Sequence, residues 1–173
     1  SLLLVVGKQY DHMVNDHPGY NPENLAYVYI GAVDSTGRAK LIEETQRLPE
    51  VDAITTCYNL PFWGASGNNV YLPGDDRELF NIADLYDVGN DYLNVLEIPI
   101  VEGQYFTENT TSSQEILVSR NFIEYMKPFA DWKDGAVGKT VQITGHDTKS
   151  ESMPLFTIRG VFEDFRLGSI AGE

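Results

Sequence analysis

The stretch GAVGKT, residues 135–140, comes closest to a chemical signature. In a phosphate-binding loop, glycines let backbone amides cradle phosphate oxygens, a lysine adds charge, and a hydroxyl helps hold magnesium. The pattern needs a further glycine with four residues between it and the Gly-Lys pair, and Lys133 stands in that place. The loop must also open a helix, whose aligned amides attract the anion. Here it leads into VQITG, a β-forming run. The sequence therefore predicts no nucleotide site at Lys139.

His12 and His17 are five residues apart and each follows an aspartate. Two metal-binding histidines on a helix sit at a spacing that turns both toward one ion, and a spacing of five does not. His146 lies in a polar turn with no obvious partner. Asp75, Asp76, Asp84, Asp87 and Asp91 are numerous but lack the alternating ligands, central glycine and closing glutamate of a calcium loop. They read as turn and surface carboxylates. Cys57, the single cysteine, sits in the β-like run AITTCYNLP and reads as a buried, inert thiol. NTT at 109–111 matches a glycosylation sequon, a weak pattern, and no G-x-S-x-G elbow occurs. Catalytic, cofactor-binding and metal residues are thus expected to be none.

Composition narrows the field. A chain of 173 residues holds one domain or two small subdomains, and 42% hydrophobic residues with 12% aromatics can build a core. Twelve basic against 26 acidic residues give a formal charge of -14. That balance disfavours nucleic acid and anionic membrane surfaces, both of which need Lys and Arg. One cysteine excludes an intrachain disulfide. The apolar run Leu2–Val6 is far shorter than the ~20 residues of a bilayer span, and lacks the flanks of a signal peptide. It is compatible with a buried strand or helix turn, an engineered end, or the last turn of a membrane helix.

The elements follow from periodicity and punctuation. Tyr10, Met13 and Val14 give helical spacing up to Pro18-Gly19; NLAYVYIGAVD reads as a strand, RAKLIEETQRL as an amphipathic helix stopped by Pro49, and VDAITTCYNL as a strand. Strand, helix and strand in about forty residues predict a split β-α-β element. PFWGASGNN is a loop and subdomain boundary. A hairpin is predicted around Pro73-Gly74-Asp75-Asp76, with Phe80, Ile82, Leu85 and Val88 in the core. NDYLNVLE reads as a short helix with Asn90 as N-cap, and Pro99 excludes a central strand position. EILVS, KTVQITG and PLFTIRGVFEDF read as strands and RNFIEYMKPF as a helix, an α+β pattern in which Gly160, Val161 and Phe165 belong to a core strand.

The order of these pieces is more informative than any one of them. Leu48-Pro49-Glu50-Val51 comes first, then Asp91-Tyr92-Leu93 through Ile98 to Gly103-Gln104-Tyr105-Phe106. Val118-Ser119-Arg120-Asn121, Val137-Gly138-Lys139-Thr140 and Ile158-Arg159-Gly160-Val161 through Asp164-Phe165 follow. The succession resembles the extracytoplasmic core domain of MacB/FtsX-type ABC transporter permeases, of the Bacteroidetes type, over residues 8–170. The resemblance implies an α+β fold of two subdomains. Residues 1–17 would be the helix leaving the first membrane span, residues 18–60 half of a membrane-proximal β-α-β subdomain, and residues 61–168 an inserted mixed distal subdomain. Four membrane helices and a following strand–helix–strand of the family are not in this chain, which therefore reads as a fragment.

The resemblance also implies a noncatalytic periplasmic domain of an inner-membrane protein. It would couple ATP-driven helix motion to a periplasmic adaptor, an outer-membrane partner or a substrate. An ABC ATPase subunit and a second permease copy are the implied partners. A periplasmic ligand-binding or sensing module, with Trp63 and Tyr71 as an aromatic platform, is the alternative reading, and a secreted hydrolase on scattered carboxylates a third. Phe62, Trp63 and Tyr71, beside the polar loop, are the expected partner contacts.

Overall fold

The computed structural model describes residues 2–7, 19–20, 25–61, 67–107, 114–144 and 153–165. The chain forms two compact units, the first comprising Ser1–Gly64, Tyr86–Pro99 and Phe165–Glu173, the second Ala65–Leu85 and Ile100–Asp164. The expected boundary within PFWGASGNN coincides with the Gly64–Ala65 passage, but the inserted part is not the continuous block 61–168. Residues 86–99 and Phe165 belong to the first unit.

The first unit is built on three strands, β1 (Leu3–Gly7), β2 (Leu25–Tyr29) and β3 (Ala53–Cys57), ordered β2-β1-β3. Both outer strands run antiparallel to β1, with Leu3 opposite Tyr29 on one side and Cys57 on the other. β2 and β3 are therefore parallel to each other with β1 between them, the predicted split β-α-β arrangement, and α1 (Ser35–Gln46) forms the crossover. The expected helix over residues 1–17 is corrected at its start, where Leu3–Gly7 is the central strand. Leu3, Leu4 and Val5 are all buried, so both faces of β1 are covered. A strand covered on both faces reads as an unbroken apolar run without alternation. The remainder of that expected helix, with Tyr10, Met13 and Val14, lies outside the described residues.

Helix α1 begins at Asp34, whose carboxylate accepts from the Gly37 amide at 2.7 Å, an ordinary N-cap. No residue of α1 is buried, contrary to the amphipathic expectation; Leu41 is exposed, as is Leu48 beyond the helix end. A polar clamp holds the helix instead. The Arg38 guanidinium donates to the Ile30 and Gly31 carbonyls at 3.2 and 3.0 Å.

Residues 86–99 return to this unit because they complete the outer side of β3. The Tyr58 amide donates to the Asp87 carbonyl at 3.0 Å and the Gly89 amide to Thr56 at 2.6 Å. The buried Thr55 hydroxyl donates to the Asn90 carbonyl. A Cβ at Gly89 would come within 2.5 Å of the Thr56 hydroxyl, so only glycine permits this approach. Helix α2 (Tyr92–Val95) then buries Tyr92, Leu93 and Val95, with Leu96 and Ile98 behind it, and the Tyr92 hydroxyl donates to the Asn59 carbonyl at 3.2 Å. Its N-cap is Asp91, in the left-handed region at φ 64° and without a side-chain cap bond, rather than Asn90.

The second unit is a six-stranded mixed sheet with β4 (Asn68–Tyr71), β5 (Phe80–Ala83), β6 (Ile100–Gly103), β7 (Glu115–Ser119), β8 (Thr140–Ile143) and β9 (Leu155–Phe162). The path is β5-β4-β8-β9-β6, and β7 pairs with β9 in parallel. β4 and β5 form the predicted hairpin, and β6 begins after Pro99 at an end of the path, the position a proline permits. Helix α3 (Arg120–Met126) is capped by the Ser119 hydroxyl, and the Asn121 amide donates to Asp164 at 2.7 Å. Met126 packs with Val70, Val141 and Ile143 as one core cluster, joined by Phe80, Leu85, Phe122 and Trp132. Val118, Ala136, Ile158 and Val161 form another. Ile82 departs from its core assignment, being 51% exposed on the terminal strand β5. Phe165 lies beyond β9 and meets Tyr20 and Tyr86 in the first unit.

Val161 is 2% exposed within β9. Val161→Asp would bury an unpaired carboxylate, which costs about 3–5 kcal/mol, a large part of the ~5–15 kcal/mol that stabilises a typical domain. The expected result is loss of the cooperative melting transition of the second unit in calorimetry. An unchanged Tm would mean that the position is open to water.

Candidate functional site

Every backbone amide from Gly135 to Lys139 in the phosphate-like loop has a hydrogen-bond partner. Gly135 donates to the Trp132 carbonyl at 3.0 Å, Gly138 to Ile158 at 2.8 Å and Lys139 to Ala136 at 3.1 Å. The two amides between, Ala136 and Val137, both point to one carboxylate oxygen, Glu102 Oε1, at 2.8 and 3.1 Å. Successive amides converging on one oxygen make an anion-binding nest. Gly135 at φ +102° and Gly138 at φ +84° shape the turn, and a Cβ on Gly135 would lie 2.7 Å from Glu102 Oε1. The Lys139 ammonium pairs with Asp134 at 3.1 Å, and that hydrogen bond and charge lower the Asp134 pKa.

The loop therefore has the amide geometry of an anion site, filled by the chain's own carboxylate, and it leads into strand β8 rather than a helix. Nothing in the sequence marked Glu102, because its partners lie 34 and 35 residues away. A lone glutamate after an apolar run carries no local signal.

The other carboxylates separate by environment. Asp75 accepts from the Arg77 guanidinium and amide in the β4–β5 turn, and this bonding lowers its pKa to about 2. Asp76 and Asp87 are exposed, while Asp84 has a buried oxygen with no hydrogen-bond partner among the described residues. Burial raises the Asp84 pKa. Among the described residues no group of three or more His, Cys, Asp or Glu side chains is arranged to hold a metal ion. His12, His17, His146 and the sequon at 109–111 lie outside the described residues.

Cys57 is buried in β3, and desolvation lifts its pKa to about 11, which makes thiolate chemistry at neutral pH unfavourable. Of the expected partner contacts, Tyr71 sits half-buried in β4 with its hydroxyl 3.5 Å from the Asn69 amide nitrogen. Phe62 and Trp63 lie outside the described residues.

Arg159 is a further residue that the sequence did not single out. Its guanidinium donates to Glu115 on β7 at 3.1 Å and to the Tyr105 carbonyl at 2.9 Å. With side chains only 17% and 28% exposed, the Arg159–Glu115 pair ties β9 to β7. Gly103, at φ +71°, ends β6, and the Tyr105 and Phe106 rings then meet edge to face at 5.2 Å. The segment 86–106 is architecture: a pairing edge, a buried helical turn and an edge strand.

Two α+β units, each held together by its own long-range strand pairing, define the class of domain. Residues 1–172 match the MacB-like periplasmic core domain family, and the chain belongs to it. Domains of this family are extracytoplasmic parts of ABC transporter permeases. The periplasmic region of MacB from Actinobacillus actinomycetemcomitans is similar at 16% identity and a TM-score of 0.49, over 96% of this chain and 62% of that one. A domain of a putative permease protein from Porphyromonas gingivalis is similar at 17% identity and a TM-score of 0.38, over 65% of this chain and 48% of that one. This chain thus spans less than two thirds of either structure. No curated protein matches it. No helix among the described residues is long and apolar enough to cross a membrane.

Because burial raises the Asp84 pKa in the folded state, the folded protein binds a proton more readily there than the unfolded chain. Stability is then lost as pH rises from the ordinary carboxylate range through the folded pKa. Asp84→Asn should raise the Tm at pH 7, with the gain shrinking as pH falls to about 4, the usual aspartate range; a gain independent of pH would exclude the carboxylate as its source. At the loop, calorimetry should detect no ATP binding to the wild type or to Lys139→Ala. Heat of binding that vanishes in the variant would show a nucleotide site.

Proposed function

We propose that this domain is a noncatalytic coupling module of an ABC transporter permease, standing in the periplasm as part of an inner-membrane protein. The observation that carries the reading is family membership across residues 1–172. ATP-driven motion of membrane helices would enter the domain and be passed to a periplasmic adaptor, an outer-membrane partner or the substrate itself. The ABC ATPase acts on the cytoplasmic side, and two permease copies form the transporter.

The connectivity supports a mechanical role. The chain passes between the units at 64/65, 85/86, 99/100 and 164/165, so four covalent connections join them. Each unit also gathers strands from distant parts of the sequence, and displacing one segment therefore strains several others. Such a module needs no turnover of its own.

Phe62, Trp63 and Tyr71, which in the sequence stand on either side of a Gly, Ser and Asn rich stretch, are the proposed partner contacts. Aromatic residues bury much area at small entropic cost and dominate partner contacts. In the intact transporter, Trp63→Ala should reduce transport, while the isolated domain keeps its Tm and the ATPase still binds ATP. Transport at the full rate, or unfolding of the variant domain, would remove Trp63 from the contact surface.

A further inference from the structure

We propose that the Gly135–Val137 turn is a latent oxyanion site whose resident ligand is the Glu102 carboxylate, so that removing this side chain opens it to a tetrahedral anion such as inorganic phosphate. Every amide from Gly135 to Lys139 has a partner, and only those of Ala136 and Val137 are given to a side chain. Both meet the same oxygen, at 2.8 and 3.1 Å, as successive amides do when they bind an anion.

Three local features place that oxygen. The β6–β9 register shifts between Ile100 and Glu102, Gly103 turns the strand at φ +71°, and Gly135 leaves the space that a Cβ would fill. Ala136 is buried although Val137 is 43% exposed, and without the carboxylate the Ala136 amide would lose its partner. A buried donor left unpaired carries a desolvation penalty, and an anion that supplies the missing acceptor relieves it. The Lys139 ammonium in the same loop is paired with Asp134 at 3.1 Å, so the amides rather than a free cation define the site. In the native chain the carboxylate occupies the turn and keeps external anions out. The sequence likeness to a phosphate loop thus has a physical basis in the amides, although the ligand is internal.

The test is a nitrogen–proton correlation titration of the wild type and Glu102→Ala with inorganic phosphate, at constant ionic strength against chloride. In Glu102→Ala the Ala136 and Val137 amide resonances should shift saturably with phosphate, and its Tm should rise more than that of the wild type. The wild-type amides should stay in place. Absence of saturable shifts in a folded Glu102→Ala, or equal shifts in the wild type, would overturn the proposal. If Glu102→Ala does not fold in chloride, refolding in phosphate decides: recovery of the native spectrum supports the site, and failure to recover it refutes it.

Discussion

The second unit depends on β9. This strand carries β7 in parallel, and β8 and β6 antiparallel along successive parts of its length, with Thr140 opposite Thr157 and Gly103 opposite Gly160. Its apolar side chains Ile158 and Val161 lie in the core, and Arg159 ties it to Glu115 and Tyr105. Gly160 is a point of close backbone approach. A Cβ there would stand 2.8 Å from the Gln104 carbonyl oxygen and 3.1 Å from that of Glu102. The backbones of β6 and β9 can approach to pairing distance because that position has no side chain.

The same constraint explains why segments far apart in sequence close into one unit. Residues 65–85 reach the sheet through β4, which pairs with β8, which pairs with β9. In the first unit β1 has the corresponding place, joining β2 to β3 while residues 86–90 add to the outer side of β3. Each unit therefore rests on one central strand whose neighbours come from elsewhere in the chain.

Much of this was legible in the residues. β3, β7, β8, β9 and α3 were marked by alternation, β-branched side chains and caps, all local signals. β1 was not, because Leu3, Leu4 and Val5 are covered on both faces and an unbroken apolar run has no period to distinguish strand from helix. α1 misled for the opposite reason: Leu41 and Ile42 suggested a buried stripe, yet hydrogen bonds from Arg38 hold the helix. The return of residues 86–99 to the first unit was illegible, since it rests on pairing with Thr56 and Tyr58 about thirty residues away. Glu102 in the 135–137 turn is the same case. Local chemistry disclosed the amide cradle but not its occupant, which only the pairing of β6 with β9 brings into reach.

The proposed coupling role requires the second unit to be an intact mechanical element, and Gly160 is where that can be tested most directly. Gly160→Val in the intact transporter would force β6 from β9 while leaving the exposed surfaces chemically unchanged. Transport and ATP hydrolysis should be measured together, with limited proteolysis reporting the state of the second unit. The account predicts a protease-sensitive second unit, transport lost, and ATP still bound and hydrolysed. Transport at the wild-type rate with the second unit opened would contradict it.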